Sequence, residues 1–416
     1  MTRCLRWLGF GAFYWLLIEA GAQFVLSRQL GGVPLDKRIE AAQEQTARDL
    51  PLRESQSRIV AGEAVHPYLG YLPRKHPKLP PNLEVLSGQG FYAPDSAIFS
   101  SDENDLVVAI TGGSLAAQFT TWGGIEELGP LLEKIPRYAG RNVRFVCLAF
   151  GGMKQPQQVM GLTWVHSLGG RIDVLINIDG YNEVALHERE NQKHGVSLLY
   201  PRAWFPRIQA ISIAPLMGEL QYRRRLRAEK LQDYVSSPVT WSPLRSLLWL
   251  RGDIRRKGEN DLLETAVRDA VGKKHRDVVL QGPPVPEGSK APRLEGLAQV
   301  WLRGSLNLGR ISNEYGIDYY HFLQPNQYLE GTKPMGEEEQ AIALANRKIW
   351  HEPVQQGYSK LLERADELIE SGLRFHDLSK VFQGVEEPVY KDACCHVNEL
   401  GNLYIAREIA ASIESW

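Results

Sequence analysis

Three apolar runs without a helical period punctuate the chain: Leu106–Thr111, Val143–Phe150 and Ile172–Asp179. Runs of this length that do not alternate polar with apolar fit strands covered on both faces. Each ends in glycine and polar residues, as Gly112-Gly113-Ser114, Gly151-Gly152 and Gly180-Tyr181-Asn182. Helical patterns separate them, with Gln155–His166 as one connection, and a fourth run, Tyr315–Leu323, precedes the loop Gln324–Tyr328. This alternation predicts an α/β fold with a parallel sheet and helices on both faces. Such sheets carry their sites at the carboxyl ends of strands. Glu337–Ile349, Tyr358–Ser371 and an amphipathic stretch ending at Trp416 read as further helices.

The two remaining regions have other patterns. Arg3 and Arg6 precede Trp7–Leu26, about 20 mostly apolar residues, which as a helix would span roughly 30 Å. Residues 1–29 therefore read as a transmembrane anchor or signal. Glu19 and Gln23 are polar within that stretch, and Ala20-Gly21-Ala22 matches a small-residue cleavage site. The Arg-flanked length favours an uncleaved anchor with its short tail inside and the rest outside. Residues 30–65, rich in charge and alanine with a helical pattern over Lys37–Asp49, read as a stalk. His66-Pro67-Tyr68-Leu69-Gly70-Tyr71 then marks a rigid turn before proline-rich coil through Asn82, where the folded domain, 66–416, begins. Within it, 183–308 breaks the alternation and reads as a largely helical insertion with a basic helix over Trp204–Tyr234 and a Pro/Gly-rich break at Gln281–Pro292. Arg223, Arg224, Arg225 and Arg227 would either face anionic headgroups or form a solvated face with partners such as Glu229. The insertion could also be a lid.

The composition excludes some functions. The 416 residues are 43% hydrophobic and 23% charged, with a formal net charge of −1, which gives no electrostatic case for nucleic acid. The four cysteines, at 4, 147, 394 and 395, are too few and too unevenly spaced for a disulfide framework or a zinc set. Cys394 and Cys395 could be free, or one could pair elsewhere.

The strand ends gather a serine, glycine turns and an asparagine, while Val389–His396 (VYKDACCH) adds Asp392 and His396 just before the final helix. A serine hydroxyl becomes nucleophilic when a histidine takes its proton, and a carboxylate holds that histidine's tautomer. Ser114, His396 and Asp392 are the candidates for these catalytic roles. Two backbone N–H groups and an amide would hold the oxyanion, the candidates being Ser114, Gly152 and Asn182. The alternative for Ser114 is a helix-capping serine, favoured after a βα turn for structural reasons alone.

This arrangement resembles the SGNH (GDSL-type) hydrolase superfamily over four short blocks in order. Gly112-Gly113-Ser114 stands for Gly-Asp-Ser, Gly152 for the second-block glycine, Gly180-Tyr181-Asn182 for Gly-x-Asn-Asp, and Asp392 with His396 for the last block. Three positions depart from the pattern: Gly113 replaces aspartate, Glu183 follows Asn182, and Asp392 lies four residues before His396 rather than three, leaving Ala393 at the expected acid position. The resemblance implies a three-layer α/β/α flavodoxin-like domain and a serine esterase or acyltransferase needing no cofactor and no metal. With the outward topology, the expected protein is a membrane-anchored extracytoplasmic (periplasmic or extracellular) esterase acting on a small-molecule or glycan ester, plausibly acetyl groups on an envelope or exported polysaccharide. Trp122, Trp204 and Tyr328 would stack on sugar, with core packing as their alternative role. The alternative functions are an O-acyltransferase using the same serine, a membrane-surface lipase, and an inactive SGNH-like binding or scaffold protein in an envelope assembly.

Overall fold

The computed structural model describes residues 2–49, 63–73, 84–85, 91–93, 97–272 and 290–416. Much of the expected coil through Asn82, and of the break at 281–292, lies outside the described residues. The chain forms two compact units: Met1–Arg58 with Ile208–Arg276, and Ile59–Arg207 with Asp277–Trp416.

In chain order, α1 (Thr2–Leu30) and α2 (Leu35–Asp49) come first. A hairpin comes next, β1 (Glu63–His66) with β2 (Gly70–Pro73), then the short strands β3 (Glu84–Val85) and β4 (Tyr92–Ala93). The alternating part starts with β5 (Asp105–Gly112), α3 (Ser114–Thr121), α4 (Gly124–Leu132), β6 (Asn142–Cys147) and α5 (Gln157–Ser167). Next are β7 (Val174–Asp179), α6 (Tyr181–Ala185) and α7 (His187–Glu190), then two long helices, α8 (Trp204–Val235) and α9 (Pro243–Gly272). The chain closes with α10 (Lys290–Glu314), β8 (Asp318–Leu323), α11 (Glu337–Ala343), α12 (Arg347–Glu370), β9 (Arg374–Asp377) and α13 (Glu399–Ser415).

The sheet of the α/β unit has the order β3-β4-β6-β5-β7-β8-β9; β6, β5, β7, β8 and β9 are parallel, while β3 and β4 join antiparallel at one edge. Counted by appearance, the parallel strands run 2-1-3-4-5. The direction of winding thus reverses at β5, and the crevice such a reversal leaves opens at that strand's carboxyl end, directly before Ser114. Alternate residues of β5 serve opposite faces. Leu106, Val108 and Ile110 join Phe119, Leu128, Ile405 and Ile409 from α3, α4 and α13, whereas Val107 and Ala109 meet Val159 and Leu162 of α5 and Leu308 of α10. Each such large side chain contributes about 1.5–3 kcal/mol by leaving water, which makes β5 a rigid base for the glycine turn and the serine at its end.

The other unit is helical. Over Phe10–Leu30, α1 is long and apolar enough to cross a membrane by length and composition. Its Phe10, Phe13, Tyr14, Trp15, Leu16, Leu17 and Ile18 are exposed, whereas Ala22 and Leu26 are buried against Leu231, Tyr234, Leu247 and Leu250 of α8 and α9. The helix runs unbroken through Ala20-Gly21-Ala22. Glu19 is satisfied there: its carboxylate accepts from the Ser242 hydroxyl (2.6 Å) and the Leu244 N–H (2.9 Å). Three of the four arginines of the basic run also pair internally, Arg223 with Glu219 and Glu259, Arg224 with Glu264, and Arg227 with Asp253. Those three do not present the free headgroup-facing charge considered from the sequence. The boundaries of the expected insertion also change. Helix α10 begins inside 183–308, runs past its end to Glu314 and packs on the sheet through Leu308, while 208–276 groups with the N-terminal helices.

Candidate active site

Ser114 stands directly after the β5 turn. Gly112 has φ +135, a conformation that side chains rarely tolerate, and a Cβ there would stand 2.0 Å from the Ile178 carbonyl oxygen. At Gly113 the constraint is space, because a Cβ would lie 2.1 Å from the Asn182 amide nitrogen. An aspartate where the resemblance expects one would have to displace the Asn182 amide. Gly113, not Ser114, is the N-cap of α3. Ser114 is thus the first helical residue, and its hydroxyl makes a different bond from that of a capping serine. Its Oγ lies 2.7 Å from His396 Nε2, and His396 Nδ1 lies 2.5 Å from Asp392 Oδ2.

This chain of contacts fixes the proton positions. An ionised carboxylate only accepts, so His396 Nδ1 carries the hydrogen. In the neutral ring Nε2 is then the acceptor for the Ser114 hydroxyl, and in the imidazolium Asp392 faces the charge. Burial pushes the Asp392 carboxyl up, but its hydrogen bond with His396, the charge of that ring, and the Cys394 and His396 N–H groups outweigh burial and leave it below its ordinary value. The same amides explain how Asp392 reaches His396 from four residues away. Asp392 Oδ1 accepts from Cys394 N (2.9 Å) and His396 N (3.4 Å), while the Lys391 N–H bonds the His396 carbonyl (3.1 Å), which folds 391–396 into a tight loop. Ala393, at the position where the family pattern has its acid, instead offers its carbonyl to the Tyr328 hydroxyl (2.6 Å).

Of the candidate oxyanion donors, the Asn182 amide lies beside Gly113. Asn182 Nδ2 donates to the Met153 carbonyl (2.8 Å), leaving its second hydrogen beside Gly113. The Met153 carbonyl also lies 3.5 Å from where a Gly113 Cβ would be, so the Gly151–Met153 turn meets the elbow. Gly152 has φ +75, and a Cβ on it would overlap Arg202 Cδ at 2.0 Å. The Ser114 N–H opens α3 and has no acceptor within the helix.

Sequence reasoning missed the support behind these groups. Glu183 Oε1 accepts from Gln155 N (3.1 Å) and Gln158 Nε2 (3.2 Å), and Oε2 accepts from Gly180 N (3.0 Å), pinning the turn that carries Asn182. Burial, and then the charge of Asp179, push the Glu183 carboxyl up to about 8. Asp179 receives the Trp301 indole N–H (2.7 Å) and His321 Nε2 (2.8 Å), and His321 Nδ1 meets the Ser305 hydroxyl (2.7 Å). That second serine–histidine–aspartate chain is sealed, since Ser305 and His321 are 0% exposed and Asp179 is 1% exposed. With no access for a substrate, it holds the end of β7. The loop after β8 supports the acid and base, through Tyr328 on Ala393 and Gln327 Nε2 on the Asp392 carbonyl (3.0 Å). Tyr328 is therefore buried support and not the sugar platform considered from the sequence. Trp122 remains 44% exposed, with Lys391 Nζ 2.9 Å above its ring. Burial lowers that ammonium to about 8.

No protein-family model and no curated protein matches this chain.

Proposed function

We propose that the chain is a membrane-anchored, extracytoplasmic serine esterase of SGNH type with a flavodoxin-like domain. It removes acyl groups, of which acetyl groups on an envelope or exported polysaccharide are the class to test first. The observation that carries the reading is the Asp392–His396–Ser114 hydrogen-bond chain at the carboxyl end of β5. The 2-1-3-4-5 strand order, the elbow glycines and the Asn182 amide beside Gly113 agree with it.

The proton positions set the chemistry. Ser114 Oγ attacks the ester carbonyl carbon as its proton passes to His396 Nε2, and Asp392 stabilises the resulting imidazolium. The carbonyl oxygen, now carrying the charge, is held by the Ser114 and Gly152 N–H groups and the free Asn182 amide hydrogen, each worth about 3–4 kcal/mol in such sites. Collapse of the tetrahedral species expels the alcohol, which takes its proton from His396. Water then repeats the sequence on the acyl-serine and releases the acid.

The test is labelling of the full chain in detergent with a fluorophosphonate, and then turnover of acetylated glycans. Wild type is expected to label, and Ser114→Ala and His396→Ala are expected not to. A folded wild type that does not label overturns the reading. Acylated glycan in place of free acid assigns the same serine to transfer.

A further inference from the structure

We propose that Cys394 and Cys395 form a redox site that switches the neighbouring Ser114–His396 centre off by closing to a vicinal disulfide. The coupling rests on the esterase reading; the thiol site does not.

The mechanism uses neither cysteine, yet both are free and adjacent, with sulfurs 3.8 Å apart. The two sulfurs are in contact, and a disulfide of about 2.0 Å forms between adjacent residues only if the peptide joining them turns. Their environments differ. Cys394 is half-buried, and its hydrogen bond with Cys395 leads the effects that lower its thiol to about 7. Cys395 is 1% exposed and held well above the ordinary thiol range, with the Cys394 hydrogen bond first and burial second. One reachable thiolate beside one protected thiol is the pairing that exchange chemistry requires. Cys147, 0% exposed in the sheet core, lies elsewhere and serves as an internal control.

The oxidant is a low-molecular-weight disulfide such as glutathione disulfide. The Cys394 thiolate attacks one of its sulfurs, breaks that S–S bond, forms a mixed disulfide and releases the first thiolate. Cys395 gives its proton to that thiolate and attacks the Cys394 sulfur, expelling the second. Two protein thiols are oxidised to one disulfide, and the external disulfide is reduced to two thiols.

Ring closure acts on the centre through the backbone. The peptide joining Cys394 to Cys395 lies in the loop whose Cys394 and His396 N–H groups hold Asp392. Turning it into an eight-membered ring moves both donors and the next residue, His396. Cys394 Sγ also touches the Tyr181 hydroxyl (3.5 Å), beside Asn182. The cluster Cys394, Cys395 and His396 offers three donor atoms within 4.8 Å of one another, but both His396 nitrogens are bonded to Ser114 and Asp392. A metal there would have to displace the base, so disulfide closure is the reaction the geometry favours.

The experiment takes the reduced full chain in detergent and adds graded glutathione disulfide, reading intact mass, peptide map, amide exchange over 391–397 and fluorophosphonate labelling. Mass is expected to fall by about 2 Da, the two hydrogens of disulfide closure, with the link mapped to Cys394–Cys395. Exchange over 391–397 is expected to rise and labelling to fall at least tenfold, both reversed by dithiothreitol. Cys394→Ser is expected to label like reduced wild type in the presence of oxidant. Cys395→Ala, which lacks the resolving thiol, is expected to stop at the mixed disulfide and gain the mass of one glutathionyl group on Cys394. An unchanged mass overturns the thiol site, and so does a disulfide elsewhere. Disulfide closure without change in exchange or labelling overturns the switch. Reduced wild type that never labels sinks the esterase reading alone, and mass and exchange then decide the redox site by themselves.

Discussion

Asp392 shows why side-chain identity and spacing carry separate information. The carboxylate reaches His396 across four residues because two amides of the intervening loop turn toward it. Those amides would also hold an asparagine in place, but asparagine presents either a carbonyl or an N–H to His396 Nδ1. With the N–H the ring takes the wrong tautomer, and with the carbonyl no negative charge faces the imidazolium. Asp392→Asn is therefore expected to lower kcat on the order of 10³–10⁴-fold, as in other triads. KM and thermal midpoint should stay near wild type. Steady-state kinetics on whichever ester is turned over checks this, and a loss under tenfold would assign the acid role elsewhere. Gly113 makes the complementary point. In this chain the Asn182 amide nitrogen occupies the space a Gly113 side chain would enter, so glycine at 113 and asparagine at 182 are coupled through one contact.

At the scale of elements, Glu19 is both a polar group in an apolar helix and the cap of another. It accepts from Ser242 and from the Leu244 N–H at the start of α9, where a helix has unpaired donors and favours negative charge. Glu19→Ala leaves both donors buried without a partner, at a cost of about 1–3 kcal/mol. The expected result is faster amide exchange over 242–250 in detergent, partly recovered in Glu19→Gln, which retains one acceptor. Exchange equal to wild type in both variants would show that the cap is dispensable. Nothing in the sequence pointed to this contact, since its partners lie more than 200 positions apart and each looks ordinary locally. The most legible elements are those with burial written in consecutive residues. β7 and β8 fall within their apolar runs, β5 extends one residue past each end of its run, and β6 starts one residue before its run and buries only Phe145–Cys147. By contrast β9 (RFHD) buries only Phe375 among its four residues, and α9 intersperses its apolar positions with many charges. In the same way Gly112-Gly113-Ser114 was readable as the end of a strand. The support from Tyr328, Gln327, Asp179 and His321 was not, because it depends on which loops meet.

Across the whole α/β unit, stability should depend on a proton held at Glu183. Its carboxyl is raised to about 8 in the folded chain, by burial first and by Asp179 second, from an ordinary value of 4.5. Between those values the native state keeps a proton that the unfolded chain has released. Stability therefore falls as pH rises through that window, by at most about 1.4 kcal/mol per pH unit for one proton, and levels off above it. Lys154 acts later and in the opposite sense. Burial lowers it to about 8, so the native state sheds its proton first, and between about 8 and 10.5 this group raises stability with pH. Asp392, with its lowered carboxyl, changes the profile only in acid, where the stabilisation present at neutral pH is lost as pH falls through its folded value. Between 5 and 8 other shifted groups also titrate, among them Glu190, raised by burial, His66 and His166, lowered by burial, and Cys394. The difference between wild type and Glu183→Gln therefore reports Glu183, and the variant, neutral throughout, should flatten the profile relative to wild type. Exchange of the most protected β7 amides at pH 5, 6, 7 and 8, corrected for intrinsic rate, measures it. Parallel wild-type and Glu183→Gln profiles would mean that the carboxyl is ionised in the native state. A flattened profile would mean that the turn carrying Asn182 rests on a neutral acid, so that alkaline pH loosens the oxyanion side of the centre before it touches the Asp392–His396 side.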